Sequence, residues 1–210
     1  MQDFAVARRA MVDCQLRPQG VTDRAVLAAM GHVERERFVP ESARDFAYFD
    51  RPLKIAEGRS MMPPAALGRL LSEVAPAAGE KALIVGAGTG YSSALLSAMG
   101  LDVTAIESDD SLLASATTTG ANIAKAELAT GYAKGAPFDV ILIDGAVEQL
   151  PDGLVSQLAE GGRIALARID RGVSRLVVGR KVHGSVGMTT VADADVAPLP
   201  GFERPKAFTF

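Results

Sequence analysis

Short apolar runs alternate with helical periodicities through the middle of the chain. Four runs have the pattern of buried parallel strands: 81–85, 102–106, 138–143 and 163–167. Three intervening segments have helical spacing or contain such a stretch: 91–99, 111–128 and 154–159, the last predicted to stop at Gly161 and Gly162. Strands that alternate with helices predict an α/β fold, a doubly wound and mostly parallel sheet covered on both faces.

The two ends of the chain have a different pattern. Segment 4–33 predicts two helices separated by Pro18 and Gly20, the second capped by Thr22; 37–58 is predicted as a loop with a short helix, and 65–74 as an amphipathic helix. Segments 174–182 and 188–196, around a turn at 183–187, predict an antiparallel hairpin at the sheet edge. We therefore expect a single domain, with an N-terminal helical part (1–76), a cofactor-binding core (80–170) and a C-terminal hairpin and tail (174–210).

Composition narrows the classes of protein. The chain has 210 residues, of which 48% are hydrophobic and 22% charged, with a net charge of −3. This balance favours a globular enzyme or binding protein and gives no reason to expect a nucleic-acid or membrane partner. Cys14 is the only cysteine, and no metal-ligand spacing occurs. We expect a cytoplasmic protein without a bound metal.

A glycine-rich segment, Gly86-Ala87-Gly88-Thr89-Gly90, follows the first predicted strand of the central part and precedes a predicted helix. Glycines there allow a sharp turn and the close approach of a ligand to the backbone. The following helix N-terminus offers N–H groups and a partial positive charge. The context favours a ligand-binding loop over a turn that only packs strand against helix.

Two acidic residues end the next two predicted strands. Glu107 comes about 20 residues after the first glycine, where a carboxylate can accept hydrogen bonds from both hydroxyls of a ribose. Asp144 ends the following strand, so it either faces the same site or caps the turn at Gly145. We expect Glu107 and Asp144 to contribute to cofactor binding.

The loop pattern discriminates between nucleotide ligands. Tyr91 stands where a dinucleotide fingerprint requires Gly or Ala, and no Gly-Lys-Ser/Thr sequence is present. These features disfavour NAD and ATP. S-adenosylmethionine, which carries a ribose and a carboxylate but no phosphate, fits the spacing better.

Much of the chain resembles the protein-L-isoaspartate O-methyltransferase family, in a divergent bacterial branch. The segments that carry the resemblance are 22–30, the Arg35-Glu36-Arg37-Phe38-Val39-Pro40 sequence, the glycine loop with Tyr91, Ala136-Pro137-Phe138-Asp139 and the ending Leu199-Pro200-Gly201-Phe202 with Lys206-Ala207-Phe208. The resemblance implies a class I, Rossmann-like methyltransferase fold with S-adenosylmethionine as cofactor. It also implies a protein-repair activity that methylates isoaspartyl carboxylates, with a protein or peptide as partner; it predicts no oligomeric state.

The chain departs from the family pattern at three polar positions. Ile84 stands where the family has an acid, and Thr130-Gly131-Tyr132 lacks the aspartate of a Gly-Asp-Gly motif. Segment 60–64 corresponds to the family's Thr-Ile-Ser-Gln-Pro, which makes Ser60, Met62 and Pro63 candidate substrate contacts. Met62 replaces the family serine, and a thioether cannot donate a hydrogen bond to a carboxylate. No catalytic residue is assigned, and weak isoaspartyl activity is expected.

Two alternatives follow from these departures. One is a catalytically weakened or non-catalytic homologue that still binds a nucleoside. The other is a methyltransferase with a different acceptor.

Overall fold

The computed structural model describes residues 3–116 and 122–204. Within them lie nine strands: β1 (Leu53–Ala56), β2 (Arg59–Met61), β3 (Lys81–Val85), β4 (Asp102–Glu107), β5 (Asn122–Lys125), β6 (Phe138–Val147), β7 (Leu158–Asp170), β8 (Val173–Val182) and β9 (Ser185–Asp193). Strands β3 to β9 form one sheet in the order β5-β4-β3-β6-β7-β8-β9. The first five strands of this order are parallel, and β8 and β9 form an antiparallel edge. Strands β1 and β2 form a separate antiparallel hairpin.

Six α-helices lie in the described part of the chain: α1 (Phe4–Met11), α2 (Arg24–His32), α3 (Pro64–Val74), α4 (Tyr91–Ala98), α5 (Asp110–Ser115) and α6 (Asp152–Ser156). A π-helical turn continues α1, and short 3-10 helices follow α2 and precede β6. The predicted cap Thr22 is wrong, because the carboxylate of Asp23 accepts the N–H groups of Ala25 and Val26. A carboxylate at this position also interacts favourably with the helix dipole.

Apolar side chains cover both faces of the sheet. One hydrophobic cluster joins α1, α2, α3 and α4 to one face, with Met11, Leu67 and Ile84 fully buried. The other cluster covers the opposite face and includes Phe138 and Leu154. The strand residues are buried on both faces, which explains the continuous apolar runs 82–85 in β3 and 140–143 in β6.

The predicted fold class is confirmed: the sheet is mostly parallel, helices cover it, and the C-terminal hairpin lies at its edge. Strand β3 has the predicted bounds, and β4 and β6 begin where predicted. No helix within residues 3–116 and 122–204 is long and apolar enough to cross a membrane.

Several local predictions are wrong. The predicted helix 154–159 is displaced, since α6 ends at Ser156 and β7 begins at Leu158. Gly161 and Gly162 lie inside β7 rather than stopping a helix; a Cβ on Gly162 would lie 2.8 Å from the carbonyl oxygen of Ala159. The last strand is β9, which ends at Asp193 and not at residue 196. Strand β5 and the β1–β2 hairpin were not predicted.

Two predicted features fall partly or wholly beyond what the structure describes. Residues 117–121 of the predicted helical segment 111–128 lie outside the described residues, as does the Lys206-Ala207-Phe208 ending.

Phe138 provides a test of the core. Its ring is fully buried at the start of β6, whereas Phe46 is 41% exposed. We expect Phe138→Ala to lower the free energy of unfolding by about 3–5 kcal/mol, because it removes buried contacts and leaves a cavity. Phe46→Ala is the matched control and should change it far less. Urea denaturation measures both, and equal effects would contradict this description of the core.

Candidate active site

The glycine loop lies at the point where the order of strands reverses. Strand β3 pairs with β4 on one side and with β6 on the other, so the loop after β3 opens into the crevice between them. Gly86, Gly88 and Gly90 have φ values of +82°, +56° and +98°, which side-chain-bearing residues rarely adopt. Gly90 directly precedes α4, as predicted. Ligands of open α/β sheets bind in such crevices.

Glu107 is fully buried at the end of β4 and its carboxylate is saturated with donors. Arg59, from β2, binds it in a bidentate geometry, with Nη1–Oε1 at 2.5 Å and Nη2–Oε2 at 2.8 Å. The backbone N–H of Gly88 donates to Oε2, and those of Ser108 and Asp109 donate to Oε1. The predicted ribose-binding oxygens are therefore held by the protein itself in this conformation.

The electrostatics of Glu107 follow from these contacts. Burial alone would raise the pKa of its carboxyl, but the Arg59 guanidinium and the N–H groups of Asp109 and Gly88 hold the pKa below its usual value. Glu107 is therefore ionised, and its charge is balanced by Arg59.

Asp144 lies in β6, which β3 separates from β4 and Glu107, and it lines the same crevice. Ser92, in the first turn of α4, donates a hydrogen bond to its Oδ2, while Oδ1 has no hydrogen-bond partner among the described residues. Burial raises the pKa of Asp144, and the hydrogen bond from Ser92 and the nearby positive charges of Arg35 and Arg59 oppose this rise only in part. A buried carboxylate with one free oxygen is a binding group for a cation or a hydrogen-bond donor.

Two apolar side chains close the crevice over the glycine loop. A Cβ placed on Gly88 would lie 2.9 Å from Cδ1 of Ile55, and one on Gly86 would lie 2.9 Å from Cδ1 of Leu199. Leu199 is held there by backbone hydrogen bonds between the 197–199 segment and Ala146. The cavity that remains beside the loop and Asp144 measures only about 10 Å³, which is room for roughly one water molecule.

A much larger groove lies on the other side of Arg59. It measures about 410 Å³ and runs between the β1–β2 hairpin and the C-terminal segment, lined by Lys54, Ala56, Gly58, Arg59, Ser60, Ala197, Pro198, Pro200 and Glu203. Arg59 and Ser60 line both this groove and the small cavity. The Arg59 side chain thus separates an open groove from the glycine loop.

The candidate substrate contacts are placed unequally. Ser60 is partly exposed and faces both cavities. The Met62 side chain is only 2% exposed and packs in the core, and Pro63 is buried beside it. The buried Arg35 donates from Nη2 to the carbonyl oxygen of Met62 at 2.7 Å, which fixes the backbone at this point.

The remaining candidate positions have structural partners. The Thr89 hydroxyl donates to the carbonyl oxygen of Phe38, and Ala87 donates its backbone N–H to Ile106. Ile84 is fully buried between β4 and β6, so no carboxylate stands there. Near Gly131, the amide of Gln157 accepts from Tyr132 N–H and donates to the carbonyl oxygen of Thr130.

Three residues of the site were not predicted from the sequence: Arg59, Ile55 and Leu199. The alternation of Leu53 and Ile55 and the Glu57-Gly58 pair are typical of a short hairpin and were available as a signal. No local pattern indicates that this hairpin would cover the glycine loop, because the contacts are distant in sequence.

Comparisons with known proteins agree on one family. The profile of protein-L-isoaspartate(D-aspartate) O-methyltransferase (PCMT) matches residues 7–202. A protein-L-isoaspartate O-methyltransferase of Koribacter versatilis is 38% identical over 205 residues, covering 94% of this chain and 92% of the relative. One from Rhodopseudomonas palustris is 35% identical, covering 95% and 85%.

Solved structures share the fold. A protein-L-isoaspartate O-methyltransferase structure has a TM-score of 0.81 at 20% identity, covering 92% of this chain and 66% of that chain. A second, from Plasmodium falciparum in complex with S-adenosyl-L-homocysteine, has a TM-score of 0.75 at 19% identity and covers 91% and 97%.

The buried carboxyl of Asp144 predicts a pH-dependent stability. Because its pKa is raised on folding, the folded protein retains a proton that the unfolded chain releases, and stability falls as the pH rises through that range. Asp144→Asn removes this titration while keeping an acceptor for Ser92. We expect it to raise the melting temperature more at pH 7.5 than at pH 4. The exposed Asp195→Asn is the control for the change in net charge, and an equal response of both variants would contradict the assignment.

Proposed function

Since the chain belongs to the protein-L-isoaspartate O-methyltransferase family, we propose that it transfers a methyl group from S-adenosylmethionine to a carboxylate of a damaged protein. The observation that carries this proposal is the glycine loop at the strand-order reversal, with the free oxygen of Asp144 facing the same crevice. The proposed reaction requires no further cluster of functional side chains within residues 3–116 and 122–204.

The backbone around the loop suits such a cofactor. The glycines bring bare backbone to the crevice, and the first turn of α4 directs its N–H groups toward it. A carboxylate of the cofactor fits this helix N-terminus. The cavity at the loop is too small for the cofactor in this conformation. Ligand sites of this kind occupy roughly 300–1,000 Å³, so the side chains that cover the loop must withdraw when the cofactor binds.

We assign the cofactor contacts to the loop Gly86-Ala87-Gly88-Thr89-Gly90, to Glu107 for the ribose and to Asp144. Ile84 removes an acid from β3, and Asp144 places one on the adjacent strand β6. Its unpaired oxygen is positioned for the positive charge of the cofactor's amino-acid portion. A cation beside Asp144 would also favour its ionised form and offset the effect of burial on its pKa.

We propose that the substrate occupies the groove beside Arg59. Ser60 and Arg59 are the two polar side chains that line both this groove and the crevice, and the Ser60 hydroxyl can donate to a substrate carboxylate. Met62 and Pro63, being buried, shape the wall behind Ser60. The predicted roles of all three stay proposals.

The reaction asks little acid–base chemistry of the protein. The bound cofactor supplies an electrophilic methyl group. A substrate carboxylate is already ionised at neutral pH, so no strong general base is needed. The residues around the crevice hold the two partners in line and exclude water, which are the contributions that alignment and desolvation make.

The closed crevice favours a second candidate function. A chain in which Arg59 permanently satisfied Glu107 would be a non-catalytic homologue of the family. Cofactor affinity separates the enzyme from this closed homologue, which would not bind S-adenosylmethionine; methyl transfer separates it from a homologue that still binds a nucleoside. The predicted cytoplasmic location belongs to the same proposal; it is supported by the single exposed cysteine, Cys14.

Asp144→Asn tests the cofactor site. We expect it to weaken binding of S-adenosylhomocysteine by about tenfold or more, since a hydrogen bond to a charged group contributes about 1.5–3 kcal/mol. Calorimetry measures the affinity, and Asp195→Asn should leave it unchanged. NAD and ATP should not bind. An unaltered affinity in Asp144→Asn would remove Asp144 from the site, and tight binding of NAD or ATP would overturn the choice of cofactor.

Methyl transfer to an isoaspartyl peptide tests the acceptor. We expect weak turnover of this peptide and none of the same peptide with normal aspartate. Ser60→Ala should lower kcat/KM by about tenfold or more, because a carboxylate would lose its donor. Met62→Ser is the comparison: its side chain is buried, so it should change stability more than kcat/KM. Equal activity of Ser60→Ala and wild type would contradict the role of Ser60.

A further inference from the structure

We propose that Arg59 competes with the cofactor's ribose for Glu107, so that the cofactor binds only after this ion pair breaks and the β1–β2 hairpin moves off the glycine loop. The inference rests on the proposed cofactor and adds to it the step that limits affinity. Arg59 then determines the affinity for the cofactor, because its ion pair with Glu107 stabilises the closed state of the crevice.

The first argument is the saturation of the Glu107 carboxylate. Each oxygen accepts from one Arg59 nitrogen and from at least one backbone N–H, at distances from 2.5 to 3.1 Å. Ribose hydroxyls would approach the same lone pairs from the side where the guanidinium lies. The backbone donors belong to the glycine loop and to the turn between β4 and α5 and can stay; Arg59 is the donor that a ligand can replace.

The second argument is the position of Arg59 between two cavities. It forms the wall between the space of about 10 Å³ at the loop and the groove of about 410 Å³. Withdrawal of this one side chain joins the two. The joined space then gives a path from the groove to the glycine loop and Asp144.

The third argument is the independence of the hairpin. Strands β1 and β2 pair only with each other, and a two-stranded ribbon alone is marginally stable. Ile55 from β1 lies on Gly88, and Arg59 from β2 lies on Glu107. One movement of the hairpin therefore takes both Ile55 and Arg59 away and breaks no hydrogen bond of the seven-stranded sheet; Leu199 belongs to the C-terminal segment and does not move with it.

A closed state of this kind lowers apparent affinity by the fraction of molecules that are open. If the open state is populated at about 1–10%, removal of the competitor should tighten binding by about 10- to 100-fold. A residue that merely stabilised the fold would not have this effect.

The test compares Arg59→Gln with Arg163→Gln in the full chain. Arg163 forms a similar bidentate pair with Glu80, at the opposite end of the strands and far from the crevice. Both variants should unfold at lower urea concentration than wild type. Only Arg59→Gln should bind S-adenosylhomocysteine more tightly in calorimetry, by about tenfold or more. Arg59→Lys, which keeps the charge but loses the bidentate geometry, should show a smaller gain and serves if Arg59→Gln does not fold.

The other outcomes overturn the inference in distinguishable ways. If wild type binds and Arg59→Gln binds equally, Arg59 does not compete, and the proposed function stands without this step. If Arg59→Gln binds more weakly, Arg59 is itself a cofactor contact. If neither protein binds S-adenosylhomocysteine at millimolar concentration, both the inference and the proposed cofactor are wrong.

Discussion

The ion pair between Arg59 and Glu107 is the constraint around which the crevice is built. A carboxylate with no exposed surface is stable only if its charge is balanced and its lone pairs are satisfied. Glu107 meets this condition by joining three parts of the chain: the glycine loop through Gly88, the turn before α5 through Ser108 and Asp109, and the β1–β2 hairpin through Arg59. Arg59 thereby ties the hairpin to the end of β4, and Leu53 and Met61 anchor the same hairpin in the hydrophobic core.

The competition proposed for Arg59 and ribose gives the crevice two mutually exclusive forms. With Arg59 in place, Ile55 and Leu199 pack over the loop and little space remains. A form that holds a nucleoside needs another donor for Glu107, and ribose hydroxyls are suitable donors. The same carboxylate therefore stabilises the closed form through a charge and the open form through hydrogen bonds to a ligand. The balance between the closed and the open form depends on Arg59 as much as on the glycine loop.

The sequence predicted the parts of the fold that local patterns determine. Strands β3 and β4 were found because fully buried parallel strands are continuous apolar runs, and the loop was found because its backbone requires glycine. The boundary between α6 and β7 was misplaced because Gly161 and Gly162 resemble a helix stop, whereas they lie within a strand whose close contacts exclude a Cβ at Gly162. A glycine in the sequence indicates either that a side chain would not fit or that the backbone adopts an unusual φ. The sequence does not show which of these two reasons applies.

Only some residues of the site could be predicted from the sequence. Glu107 follows from its place at the end of β4, and Asp144 from the end of the apolar run 140–143, although β6 itself continues to Val147. The ion-pair partner of Glu107 could not be predicted, because Arg59 lies 48 residues away in sequence and its hairpin is short. The burial of individual side chains could not be predicted either. Met62 was expected beside a substrate, but its side chain packs in the core, whereas Ser60, two residues earlier, faces the groove.

Two arginine–glutamate pairs at opposite ends of the sheet show how burial changes the role of the same chemistry. Arg163 and Glu80, about a fifth exposed, fasten the amino ends of the strands, and such partly exposed pairs contribute modestly. Arg59 and Glu107 are 6% and 0% exposed, so separating them leaves two desolvated charges. Water can replace the lost partner in the first pair. In the second, the space of about 10 Å³ beside the loop leaves little room for water, so separation of the pair requires other hydrogen-bond donors to enter the crevice.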